Sequence, residues 1–313
     1  MIICCGEALI DMLPRQLPDG SAVCMPVPGG AVFNTAIALG RLGEDTHFFT
    51  GLSTDLYGRQ LSAFLEASHV KTTFCKRSQL PTTLAFVSLE DGNAEYTFYD
   101  ENTAGRMLEI ADLPKLPKQT QAMQFGAISL VPEPCASSFE ELMRRYCDTA
   151  VISFDPNIRP GFIQNEVEYR ARIKRMCGLS DIIKVSEDDL DWLAHGEEFE
   201  AVAREWLSTG AKVILLTMGE NGVRAMTSSL DFVVPAVKTE VVDTVGAGDS
   251  FNAGILADLR KSGNLQKDTL ESISENALHS ALTFATRVAA FTVGQAGANP
   301  PWAHELTNPI QPS

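Results

Sequence analysis

The chain has 313 residues, 45% hydrophobic and 21% charged, enough for a large core and a small second unit in a soluble globular protein. Its 40 acidic and 25 basic residues give a formal net charge of −15. That argues against a general nucleic-acid or anionic-membrane surface, and any bound polyphosphate would depend on local donors. The seven cysteines, Cys4, Cys5, Cys24, Cys75, Cys135, Cys147 and Cys177, are odd in number and show no two-residue gap, so they read as reduced thiols, mostly small buried hydrophobes. Met1–Cys5 is too short for a signal peptide, and no apolar run approaches the roughly 20 residues of a membrane span. A cytoplasmic protein is expected.

Taken in chain order, Ile2–Cys5 predicts a strand that ends at Gly6-Glu7-Ala8-Leu9-Ile10-Asp11. Met12 to Pro28 reads as loop or edge strand. After Gly29-Gly30, residues Ala31–Leu42 carry apolar side chains at helical spacing. Thr46–Gly51 predicts a strand and Gly58–Ala67 a helix. Thr82–Glu90 and Glu95–Tyr99 read as a β-hairpin turning at Asp91-Gly92. Segments 12–28 and 82–104 together predict a small β-rich lid.

From about residue 121 strands and helices alternate. Strands are predicted at Ala122–Ile128, Ala150–Asp155, Ile182–Val185, Val213–Met218 and Gly222–Met226. Helices are predicted at Cys135–Tyr146, Val167–Cys177, Asp188–Leu193, Phe199–Thr209 and Thr269–Phe291. This rhythm means an α/β layered fold with a mostly parallel central sheet, here as one domain over 1–313 with the lid projecting from it. The tail Asn308–Ser313 is expected to be loosely ordered.

The densest chemistry lies at Asp243-Thr244-Val245-Gly246-Ala247-Gly248-Asp249-Ser250-Phe251. Val241 and Val242 end an apolar stretch, and a helical pattern follows from Phe251 to Leu259. A strand turning through glycines into a helix points free N–H groups and a helix dipole at one spot, which attracts an anion. Asp249 beside a phosphate makes sense as the base that removes a proton from an attacking hydroxyl. As a plain helix N-cap the same residues would need no ligand.

This string closely resembles the C-terminal signature of the ribokinase-like (PfkB) carbohydrate kinases. Gly29-Gly30-Ala31-Val32-Phe33-Asn34-Thr35-Ala36 and Gly51-Leu52-Ser53-Thr54-Asp55-Leu56-Tyr57-Gly58 resemble the partner signature. The likeness runs from about Ile2 to Pro300, and Gly6–Leu13, Pro81–Leu89 and Tyr96–Leu108 look most like bacterial fructokinases. It implies a three-layer ribokinase-like fold and transfer of the ATP γ-phosphate to a sugar hydroxyl. Asp249 would be the base, with Gly246, Ala247 and Gly248 as the anion hole.

The resemblance also implies the other contacts. Asp11, Gly30 and Asn34 would hold the sugar; without the likeness they read as a loop acid, a turn glycine and a helix-start residue. Arg159, in Asp155-Pro156-Asn157-Ile158-Arg159-Pro160, would meet sugar or phosphate, or else pair a carboxylate at the surface. Phe98 and Tyr99 on the hairpin would pack over the sugar, or serve as ordinary strand aromatics. Thr217, Gly219 and Gly222 resemble the nucleotide loop, which a simple glycine turn would also match. Ser186 and Asp189 stand at a motif that organises magnesium and phosphates, where the short Asp189 suits a water-mediated role. Gly294-Gln295-Ala296-Gly297-Ala298 resembles the loop that closes over adenine and helps hold a monovalent cation such as K⁺. The carbonyls of Asp243 and Val245 would complete that cation site, and Thr286 would stand beside the nucleotide.

Asp100 and Glu101 after the aromatic strand disfavour an anionic sugar, although Arg106 follows. Fructose is therefore expected ahead of 2-keto-3-deoxygluconate and other sugars or nucleosides. Two rival classes are a sugar-binding regulator, against which the intact Asp249 argues, and a nicotinamide dehydrogenase, whose glycine turn would follow the first strand. By the family pattern a homodimer is expected.

Overall fold

A computed structural model describes residues 1–90 and 93–307. Its main sheet has eight strands in the order β14-β13-β12-β11-β10-β9-β1-β4. They are β1 (Ile2–Cys5), β4 (Thr46–Phe49), β9 (Ala122–Gly126), β10 (Val151–Asp155), β11 (Ile182–Ser186), β12 (Val213–Thr217), β13 (Val223–Met226) and β14 (Asp231–Val234). Strands β4 to β12 of this order are parallel, and β13 and β14 close one edge antiparallel.

Alternation along each strand splits the core into two layers. Ile2, Cys4, Ala122, Val151, Ile182 and Val213 face helices α1 (Ala31–Arg41), α2 (Leu56–Ala67), α7 (Ala247–Lys261) and α9 (Glu275–Val293). Ile3, Cys5, Met123, Ile152, Ile183 and Ile214 face α3 (Cys135–Tyr146), α4 (Glu166–Cys177), α5 (Glu187–Ala194) and α6 (Phe199–Ser208). Two helical layers around a mostly parallel sheet are the expected α/β architecture.

A second, four-stranded sheet runs β3-β2-β7-β8, built from β2 (Leu9–Gln16), β3 (Ala22–Gly29), β7 (Thr83–Glu90) and β8 (Asn93–Tyr99). Of the two readings for residues 12–28, the strand one holds: they supply most of β2 and of β3, which is the sheet edge, joined by a turn at 17–21. Pairing of Asp11 with Val27 and Ala85, and of Ala85 with Phe98, puts these four side chains in one row on one face. The predicted turn at Asp91-Gly92 and the tail Asn308–Ser313 lie outside the described residues.

Three further differences have local causes. The stretch Thr46–Gly51 breaks at Thr50, and β5 (Gly51–Ser53) pairs with β6 (Lys76–Ser78) in a separate two-stranded sheet. Thr269–Phe291 is two helices, α8 (Lys267–Glu271) and α9, because Ser274 caps α9 by accepting the Ala277 N–H at 3.3 Å. Val241 and Val242 are exposed and follow no strand, so the chain reaches the 246–249 turn through loop.

Candidate active site

The parallel strands end along one edge, where open α/β sheets take ligands. Asp155 ends β10, Ser186 ends β11 and Thr217 ends β12. Glu7 and Asp11 follow β1. Against this edge lie the first turns of α1 and α7.

Gly246 caps α7 with φ +79, a left-handed conformation that glycine adopts without a Cβ penalty. A Cβ there would also meet Ala298 at 2.7 Å. From this cap α7 starts at Ala247, whose N–H donates to the Thr244 carbonyl at 3.3 Å, while the N–H groups of Gly248 and Asp249 belong to the first turn, which has no partner for them within the helix. Asp249 is buried, and its Oδ2 accepts a hydrogen bond from Asn34 Nδ2 at 2.9 Å. Burial pushes the Asp249 carboxyl up to about 7, opposed first by that Asn34 donor. A base with this affinity suits proton abstraction near neutrality.

Asn34 reaches Asp249 because α1 begins at Gly30, whose φ of +112 needs glycine. A Cβ at Gly30 would meet the Glu7 carbonyl at 2.9 Å. Asp11 lies against Gly29 on the lid sheet, and burial raises its carboxyl to about 6. Arg159 donates to the Ile158 carbonyl at 2.9 Å, and its charge acts on both Asp249 and Tyr96. The structure therefore brings Asp11, Gly30, Asn34, Arg159 and the Gly246–Asp249 turn to one place.

The lid aromatics divide. Phe98 packs its ring 4.7 Å from Phe162 and stacks with Tyr96 at 6.0 Å. Tyr99, one residue on, points to the opposite face, pairs with Phe86 and is 60% exposed. Strand alternation forbids Phe98 and Tyr99 from covering one ligand together, and Tyr96 replaces Tyr99 on the inner face. Burial raises the Tyr96 phenol, and Asp11 adds to the shift.

On the nucleotide side, Ser186 caps α5: its Oγ accepts from the Asp189 N–H at 3.1 Å and donates to Asp189 Oδ2 at 2.7 Å. Asp189 Oδ1 takes the Ile158 N–H at 2.7 Å. Both oxygens of Asp189 are occupied by protein donors, so it does not fit direct ligation of magnesium. Among the described residues no group of three or more His, Cys, Asp or Glu could hold a metal ion. Thr217 donates to the Val185 carbonyl. Gly219 has open space on its Cβ side, whereas Gly222 abuts the Val234 carbonyl and has φ +94, so both its backbone conformation and its packing against β14 call for glycine. Thr286 turns its hydroxyl back to the Thr283 carbonyl within α9.

Asp243 links the two loops of the expected cation site. Its Oδ1 accepts from the Val245 N–H and its Oδ2 from the Gly297 N–H, both at 3.0 Å. The backbones of 243–245 and 297 are thereby fixed beside each other.

Four further groups at the site escaped the sequence reading: Glu7, Asp155, Lys184 and Asn252. All four are buried. Lys184 Nζ lies 3.1 Å from Asp155 Oδ2, which also accepts from Asn252 Nδ2 at 2.7 Å. Glu7 Oε1 accepts from the Val32 N–H, its Oε2 has no partner within the chain, and burial lifts its carboxyl to about 7. The available signal was a charged residue inside an apolar strand, Ile182-Ile183-Lys184-Val185, and an acid directly after Ile2–Gly6.

Comparison with known proteins points the same way. The model of the pfkB family of carbohydrate kinases matches residues 2–305. A fructokinase of Rhizobium leguminosarum bv. trifolii is 51% identical over 278 residues, 89% of this chain and 85% of that one. The fructokinase of Xylella fastidiosa, solved with bound ATP, superposes with a TM-score of 0.90 at 29% identity, covering 98% of this chain and 97% of the other. The fructokinase of Vibrio cholerae O395, solved with fructose, ADP and calcium ion, gives 0.83 at 26% identity, covering 95% and 94%.

Proposed function

Because the chain belongs to the pfkB family of carbohydrate kinases, we propose that it transfers the γ-phosphate of ATP to a hydroxyl of fructose, giving fructose 6-phosphate and ADP. The observation that carries this reading is the 2.9 Å contact between Asn34 and Asp249. It joins the candidate sugar pocket to the candidate phosphate turn.

Asp11, Gly30, Asn34 and the inner lid face around Phe98 hold the sugar. Asp249 accepts the proton of the attacking hydroxyl, and the N–H groups after Gly246 receive the developing negative charge. Arg159 meets sugar or phosphate from the β10 side. The nucleotide lies over Ser186, Thr217, Gly219, Gly222 and Gly297. Magnesium bound with ATP would supply neutralisation of phosphate charge, and Asp189 would act only through the segment it orders. Potassium suits the carbonyls of Asp243 and Val245, which the Asp243 carboxylate locks against Gly297.

Arg106 bears on the choice of sugar. It is committed to Asp100 at 3.1 Å, and so offers no free cation to the carboxylate of 2-keto-3-deoxygluconate. We read residues 1–313 as one kinase domain whose four-stranded sheet closes over the sugar and excludes water. Phe86 and Tyr99 on the outer face of that sheet are exposed aromatics that suit pairing of two subunits. No helix among the described residues is long and apolar enough to cross a membrane, and a cytoplasmic site of action fits the reduced cysteines. An ATP-consumption assay over a sugar panel tests the reading. Fructose is expected to give the highest kcat/KM. A preference for 2-keto-3-deoxygluconate would overturn the sugar assignment, and no sugar-dependent turnover at all would favour a binding regulator.

A further inference from the structure

Strand β11 is apolar and fully buried at Ile182, Ile183 and Val185, yet Lys184 sits among them only 6% exposed. A buried ammonium is costly unless it is paired and hydrogen-bonded. Asp155 supplies the pairing, 3.1 Å away, and Asn252 fixes the same carboxylate oxygen. The position of the amine is less expected. It comes up beneath the 246–249 turn, where a Cβ on Gly248 would lie only 3.2 Å from Nζ. The first turn of a helix is the positive end of its dipole, so a cation placed there is opposed by the helix. An ion pair that served stability alone would sit better elsewhere. This placement becomes favourable when negative charge gathers on the other side of the turn.

Such charge is plentiful. Asp249 lies close enough to act on Glu7, and Asp155 on Asp249, while Asp189 acts on Asp155 and Lys184. Against these acids stand Arg159 and Lys184. An incoming phosphoryl group adds more negative charge, spread over its oxygens in the transition state. We propose that Lys184 is a positioning residue of phosphoryl transfer: held by Asp155 and Asn252 under Gly248, it supplies the fixed positive charge that lets Asp249 and the transferring phosphoryl group come together. The proposal rests on the kinase reading above. Burial pulls the Lys184 ammonium toward neutrality, but Asp155 and Asp189 outweigh it and keep it charged. Being enclosed, that charge needs no reorganisation at the moment of reaction.

Steady-state kinetics of the full chain carrying Lys184→Met test the role. The parent's sugar-dependent ATP turnover tests the kinase reading, and the ratio of variant to parent tests Lys184. The variant is expected to lose about 100-fold in kcat while the sugar KM moves less than about threefold. The acid limb of its kcat/KM profile should shift to higher pH. The groups facing Asp249 are Asn34 from α1, Asp155 and Arg159 from β10 and the loop behind it, Lys184 from β11, and Glu7 after β1. Losing Lys184 removes one of the two cations that hold Asp249 ionised. A kcat within about threefold of the parent, or a loss confined to KM, overturns the proposal. Should Lys184→Met fail to fold, the double variant Lys184→Met/Asp155→Asn, which removes both charges, is compared with Asp155→Asn alone. A further drop of about tenfold or more supports the role, and equal kcat overturns it.

Discussion

Asn34 Nδ2 donates to Asp249 Oδ2 across 2.9 Å although 215 positions separate the two residues. One end of this bond lies on the helix after the glycine pair, the other on the helix after the glycine turn. The first turns of α1 and α7 are thereby held in register. Replacement of Asp249 by Asn should keep that geometry and remove the base. We expect kcat to fall by about 10²–10⁴ with little change in sugar KM or melting temperature. A coupled ATP assay with circular dichroism as the folding control checks it, and near-parental kcat would refute the base assignment.

The same bond sets a pH dependence. Burial raises the Asp249 carboxyl to about 7, and the Asn34 donor works against that rise. The reactive form is the carboxylate, so activity is present above about pH 7 and is lost as pH falls below it. Asn34→Leu removes the donor and should move the acid limb of the kcat/KM profile upward. A limb unmoved in that variant would mean that another group titrates.

Phe98 and Tyr99 are neighbours in sequence with opposite surroundings, Phe98 against Phe162 and Tyr99 beside Phe86 on the outer face. Phe98→Ala should raise the sugar KM by about tenfold, the scale of one lost aromatic contact. Tyr99→Ala should leave sugar kinetics alone and, if the outer face joins subunits, shift the sedimentation equilibrium toward monomer. Equal kinetic effects from the two changes would contradict the assigned faces.

Gly246 combines φ +79 with a Cβ direction that runs into Ala298. Gly246→Ala should cost about 1–2 kcal/mol in backbone strain and push the 294–298 loop away from Asp243. The melting temperature should drop by a few degrees and the half-saturating potassium concentration should rise. Unchanged potassium response would separate the Gly297 loop from the cation site.

Much of this was legible in the chain. Strand–helix alternation after residue 121 pointed to the sheet, and the glycine strings at 29–34 and 246–249 pointed to the helix starts whose Asn34 and Asp249 meet. What the residues could not reveal were partnerships made only in three dimensions. Lys184 lies in an apolar strand, and its significance appears only when Asp155, from a neighbouring strand, and Gly248, from a helix, meet it. Tyr96 rather than Tyr99 shares the face of Phe98 because strand register, not composition, decides which face an aromatic takes. The break before Ser274 was hidden because the apolar pattern runs on through it.

Stability should also depend on pH in an unusual direction. Burial raises Glu7 and Asp249 to about 7 and Asp11 to about 6. Between their unfolded values, near 4, and these folded values the native state binds more protons than the unfolded chain. Stability therefore falls as pH rises through this window. The shifts of Glu7 and Asp249 correspond to on the order of 3–4 kcal/mol each when taken separately, and less when their mutual repulsion is shared. Solvent-accessible acids such as the half-buried Asp45 and the exposed Asp231, held low first by the Lys71 and Arg224 hydrogen bonds, act oppositely but only below about pH 4. The protein should thus be most stable near about pH 4 and lose stability up to about pH 7. Glu7→Gln keeps an acceptor for the Val32 N–H without a titrating group and should flatten part of that decline. Denaturant unfolding at a series of pH values measures the slope, and a parental stability that climbs from about pH 4 to about pH 7 would show that these acids are not buried as ionisable groups in the folded chain.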